Sequence, residues 1–78
     1  MQSIYVGNLC LSASWQQVMD LFAQYGDVIS IRIIKNRQKC YAFIEMEQHN
    51  AEYAIQSLNE FMFLGRTLRV GLAKKEKE

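Results

Sequence analysis

Hydrophobic and polar residues alternate with a period of two in several short stretches of this 78-residue chain and with helical spacing in two others. In Ile4-Tyr5-Val6-Gly7-Asn8-Leu9 and in Lys39-Cys40-Tyr41-Ala42-Phe43-Ile44-Glu45-Met46 the alternation predicts strands with one buried and one outward face. Ile4, Val6, Cys40, Ala42, Ile44 and Met46 fall on the inward parity; Tyr5, Lys39, Tyr41, Phe43 and Glu45 fall on the outward one. Residues 3–7 form the first strand, ended by Gly7 and Asn8, and Leu9 turns back to the core. Ser14-Trp15-Gln16-Gln17 has the capping-box pattern, so a helix starts there and runs to about Gln24. Its buried stripe is Trp15, Val18, Leu21, Phe22 and Tyr25, and Gly26 supplies a left-handed C-terminal cap.

Val28 to Lys35 is β-branched enough for a second strand, with Ile29, Ile31 and Ile33 on one face and Ser30, Arg32 and Ile34 on the other. The short connection Asn36-Arg37-Gln38 makes it an antiparallel hairpin with the third strand. Glu47-Gln48-His49-Asn50 leads into a second helix whose core face is Ala51, Ala54, Ile55 and Leu58. Phe61-Met62-Phe63-Leu64 either closes the core or forms an exposed apolar patch. Arg66 to Gly71 is the last strand, with Leu68 and Val70 inward and Thr67 and Arg69 outward. Right-handed crossovers then give an α+β sandwich: an antiparallel four-stranded sheet in the order fourth, first, third, second, with both helices on one face. Tyr5, Tyr41 and Phe43 meet in the middle of the other face, which no element covers.

Composition narrows the picture only slightly. The length allows one domain, placed at residues 1–73 with a charged tail at 74–78, and such a domain buries roughly 60% of its unfolded surface. The net charge of +1 is modest for a nucleic-acid binder, so distribution matters more: Arg32, Lys35, Arg37 and Lys39 form a run free of acids. Two cysteines and one histidine, without a Cys-x-x-Cys spacing, make neither a zinc site nor a disulfide framework. No catalytic or metal residue and no cofactor is expected. The N-terminus has neither a basic start nor a long apolar segment, and no apolar run approaches the ~20 residues of a membrane span. The expected location is the cytoplasm, or the nucleus in a eukaryote, and not the exterior.

The two strand motifs resemble the signature motifs of the RNA recognition motif family. In the longer motif Lys39, Tyr41, Ala42 and Phe43 match and Ile44 stands for Val; Cys40 replaces Gly and Met46 replaces the final aromatic. The shorter motif matches throughout. The resemblance covers nearly the whole chain and implies a ferredoxin-like β-α-β-β-α-β fold. Leu58-Asn59 matches the family's helix ending, whereas Glu60 stands where Gly is common. One copy of the fold with a tight second hairpin and a charged end looks like the small single-domain RNA-binding proteins of bacteria.

The expected chemistry is stacking plus charge on single-stranded RNA, or on single-stranded DNA in vitro. Tyr5 and one of Tyr41 and Phe43 would each stack a base; the resemblance implies that the third aromatic lies against sugars. Lys39 is placed for a phosphate, Arg32 and Arg69 flank the platform, and Lys35 and Arg37 extend its basic edge. Glu45 points outward to accept a bond from an exocyclic amine, and the backbone of Ala73 and Lys74 would read a base edge, as tails do in similar domains. The alternative is a protein-interaction module, or self-association, through the sheet or helix face of the same fold. A small phosphatase on this topology would need an anion loop with a positioned Arg; Gly7-Asn8-Leu9-Cys10 lacks one.

Overall fold

The computed structural model describes residues 1–73; Lys74 and the rest of the tail lie outside the described residues. The element order is β1 (Gln2–Gly7), α1 (Trp15–Ala23), β2 (Val28–Lys35), β3 (Cys40–Met46), α2 (Gln48–Leu58), β4 (Met62–Phe63), β5 (Arg66–Thr67) and β6 (Arg69–Leu72). Four strands form one antiparallel sheet in the order β2-β3-β1-β6, as the sequence predicts, and β4 and β5 form a separate two-stranded hairpin. Among the described residues no helix is long and apolar enough to cross a membrane.

Alternation places the core. Ile4, Val6, Cys40, Ala42, Ile44, Met46, Leu68 and Val70 are buried on one side of the sheet, under Val18, Leu21 and Phe22 of α1 and Ala51, Ala54 and Leu58 of α2. The capping box forms in full: the Gln17 amide donates to Ser14 Oγ at 3.1 Å, and Gln17 Oε1 accepts from the Ser14 amide at 2.9 Å. These bonds satisfy two of the free N–H groups at the helix start.

Several elements differ from the sequence pattern. Trp15 is 52% exposed rather than core. It is the first residue of α1, and the helix residues that reach the core, Val18, Leu21 and Phe22, begin three positions further on. Tyr25 is half-buried and meets Tyr53 edge to face, ring centroids 5.1 Å apart. Ile29 is 53% exposed because the β2–β3 register shifts between Val28 and Ser30. That bulge puts Val28, Ile31 and Ile33 against the core and turns Ile29 away. The expected last strand is divided: Arg66 and Thr67 pair with Met62 and Phe63, and only Arg69–Leu72 joins the main sheet. Phe63 packs on the core while Phe61, Met62 and Leu64 are exposed, so the apolar segment does both things its sequence suggests.

Gly26 has φ +142°, a conformation side chains rarely adopt, and a Cβ there would strike the Asn50 side chain. Glu60, by contrast, holds φ +68° without being glycine, while its amide donates to the Leu68 carbonyl at 2.9 Å. Relieving that left-handed strain by Glu60→Gly is expected to raise stability by about 0.5–1 kcal/mol, or several degrees in Tm by calorimetry. An unchanged or lower Tm would show that the Glu side chain contributes more than the strain costs.

Candidate nucleic-acid interface

Cross-strand register arranges the uncovered face into rows. Ser30, Glu45 and Ser3 are neighbours across β2, β3 and β1, and the Ala73 amide extends the row by donating to the Ser3 carbonyl at 3.0 Å. The next row is Arg32, Phe43, Tyr5 and Gly71. Beyond it Ile34 pairs with Tyr41 on one side, and Gly7 pairs with Arg69 on the other. The three predicted aromatics thus occupy the two central strands. Their ring centroids lie 5.8 Å apart for Tyr5–Phe43, 6.0 Å for Tyr41–Phe43 and 6.1 Å for Tyr5–Tyr41. Each ring is held by the other two, and Tyr5, 38% exposed, presents the most surface.

Glycine shapes the platform at two positions. A Cβ on Gly7 would lie 2.6 Å from the Tyr5 hydroxyl and 2.8 Å from its ring, so the Tyr5 side chain runs along the strand over bare backbone. Gly71, across from Tyr5, leaves open space on its other side. Gly7 has no positive φ, so Ala fits its backbone. Gly7→Ala is therefore expected to keep the fold but tilt Tyr5. RNA affinity should fall roughly tenfold, most of the value of one base stack, by fluorescence titration. Wild-type affinity in this variant would mean that Tyr5 stacks no base.

The basic residues divide. Arg32 and Arg69 flank the aromatics on β2 and β6, both exposed. Lys39 shares the parity of Tyr41 and lines a pocket of about 360 Å³ with Tyr5, Asn8, Gln38, Tyr41 and Arg66. Lys35 does not join them. It pairs with inward-facing Cys40 and has the parity of Ile31 and Ile33, which directs it to the helix side of the strand end. Arg37 sits exposed in the hairpin loop, where the Lys39 amide donates to Asn36 Oδ1 at 3.2 Å and the Asn36 amide to the Lys39 carbonyl at 2.9 Å. The Ala73 N–H is already bonded within the sheet and is not free to read a base.

Sequence reasoning missed Asn8 and Arg66. Asn8, at φ +62°, donates to the Thr67 carbonyl at 2.6 Å and accepts from Arg66 at 2.7 Å. This clamp, joining residues 58 and 59 positions apart, fixes a guanidinium at the rim of the Lys39 pocket. Asn is suited to the left-handed conformation and marks the turn, but its partners cannot be read from local spacing. Both cysteines are free. A hydrogen bond from Ser12, with Arg66 and Lys35 nearby, lowers the Cys10 thiol, whereas burial raises that of Cys40.

The RNA recognition motif family model matches residues 4–69. The chain belongs to the RNA recognition motif family. It is 38% identical over 82 residues to the human (Homo sapiens) cleavage stimulation factor subunit 2 tau variant, covering 99% of this chain but only 13% of that protein. RbpE of Nostoc sp. is 36% identical over 81 residues, covering 97% of this chain and 82% of RbpE. A solved structure of the Rna15 RRM with bound RNA (GU) superposes with a TM-score of 0.84 at 25% identity, covering 97% of this chain and 86% of that one.

Proposed function

We infer that the uncovered sheet face of this RNA recognition motif domain binds single-stranded RNA, by stacking bases on Tyr5, Tyr41 and Phe43 and holding phosphates with Arg32, Lys39 and Arg69. The observation that carries this reading is the triangle of rings, 5.8–6.1 Å apart, on the face that neither helix covers. A core gains nothing from aromatics there, whereas every unpaired base has a face to stack. The clamped Arg66 adds a fourth cation beside Lys39. No bond is made or broken. The similarity to the Rna15 domain solved with RNA (GU) bound supports RNA as the ligand, and we propose a setting in post-transcriptional RNA handling.

Three or four phosphate contacts give a log-affinity against log-salt slope of about −2 to −3 for a single strand. Titrating a hexanucleotide pool into isotopically labelled protein should shift the amides of β1, β3 and the Lys39 loop and leave α1 and α2 unmoved. Binding that perturbs the helices or the exposed Phe61–Leu64 segment instead would favour the protein-interaction reading.

A further inference from the structure

Glu45 is the one acidic side chain on the outward face of the sheet among the described residues. A carboxylate beside an RNA platform repels phosphates, yet this one is braced from both sides. Ser30 of β2 donates to Oε1 at 3.2 Å and Ser3 of β1 donates to Oε2 at 3.4 Å. Each ionised oxygen can accept two bonds, so each keeps a lone pair for a ligand. A cleft of about 410 Å³, bounded by Met1, Gln2, Ser3, Glu45 and Ala73, opens beside the carboxylate and falls in the range of small-ligand sites. The cationic side chains among the described residues lie elsewhere: Arg32 and Arg69 are in the next two rows, and Lys39 and Arg66 are at the far end. The field along the strands therefore draws phosphates away from the Glu45 row and leaves a base edge to face it.

We propose that Glu45, oriented by Ser3 and Ser30, selects guanine by accepting the N1–H and N2–H donors of one base lying in this cleft. Guanine alone presents two adjacent donors to match the two oxygens. Adenine and cytosine present one amine beside a ring-nitrogen acceptor, and uracil flanks its single N–H with two carbonyls, so each sets a lone pair against the carboxylate. The expected order is guanine first, adenine and cytosine next, uracil last. This rests on the sheet face being the RNA site.

The test uses oligouridine hexamers in which guanine, adenine or cytosine is placed at each position in turn, titrated by fluorescence anisotropy. At one position guanine should bind at least about tenfold tighter than uridine, the scale of one bidentate base contact. Glu45→Gln, which removes the charge and replaces an accepting oxygen by a donor, should abolish that ratio, weakening guanine at that position and relieving the opposed lone pairs at uridine. The Ser3→Ala/Ser30→Ala variant, which keeps the carboxylate but frees it, should reduce the ratio without abolishing it. A purely structural Ser–Glu–Ser ladder would move the melting temperature and not the guanine-to-uridine ratio. Equal affinity for all four bases, or a guanine preference that survives Glu45→Gln, overturns the inference alone. Failure to bind any hexamer overturns the RNA reading with it.

Discussion

Replacing Tyr5 and Phe43 together by alanine is expected to weaken single-stranded RNA binding at least about 30-fold, since each base stack contributes roughly 1–3 kcal/mol. The variant also has a structural cost. Tyr5, Tyr41 and Phe43 form three mutual ring contacts, and the double truncation removes all of them. At about 0.5–1.5 kcal/mol per aromatic pair, part of the lost binding would come from a loosened sheet. Tyr5→Leu/Phe43→Leu separates the two effects: leucine keeps apolar contact with Tyr41 and removes the flat π surface. The leucine variant should hold its melting temperature more closely and lose most of the affinity lost by the alanine variant. If it binds RNA as wild type does, stacking on these rings is not the source of affinity.

The central platform is legible because a strand has a period of two. Once Ile4, Val6, Ala42 and Ile44 are inward, Tyr5, Tyr41 and Phe43 have nowhere to point but out. The same rule divides the cations at residues 32–39. In linear order they look like one basic edge, but alternation sends Arg32 and Lys39 to the aromatic face and Lys35 to the other. What is not legible depends on partners far along the chain. The bulge at Val28–Ser30 arises from pairing with β3 and reverses Ile29 without any break in the run of β-branched residues. Asn8 meets Arg66 and Thr67 only because the β4–β5 hairpin folds beside the end of β1, and Ser3 and Ser30 brace Glu45 from two different strands. Trp15 fits the helical stripe by spacing, yet spacing does not say that α1 first meets the core at Val18.

Phe22→Ala is expected to be the most destabilising single change outside the binding face. Phe22 is fully buried and is the largest such side chain, anchoring α1 to the back of the sheet. Removing a buried Phe ring costs about 3–5 kcal/mol in lost transfer energy and cavity. A domain of this length has a total stability of roughly 4–12 kcal/mol, so the variant should lose from about a quarter of it to all of it. Urea titration measures the loss directly. Because Phe22 lies behind the sheet, the folded fraction keeps an intact aromatic face, and apparent RNA affinity should fall only by the factor of the folded fraction. RNA at 100 times its dissociation constant should in turn restore about 2.7 kcal/mol and move the urea midpoint upward. The platform double variant, at least about 30-fold weaker, should gain no more than about 0.9 kcal/mol from the same RNA. A loss below about 1 kcal/mol in Phe22→Ala would mean that the site relaxes to fill the cavity and that α1 is held by other contacts. A variant that unfolds and is not rescued by RNA would place the binding surface somewhere that does not require the packed sheet.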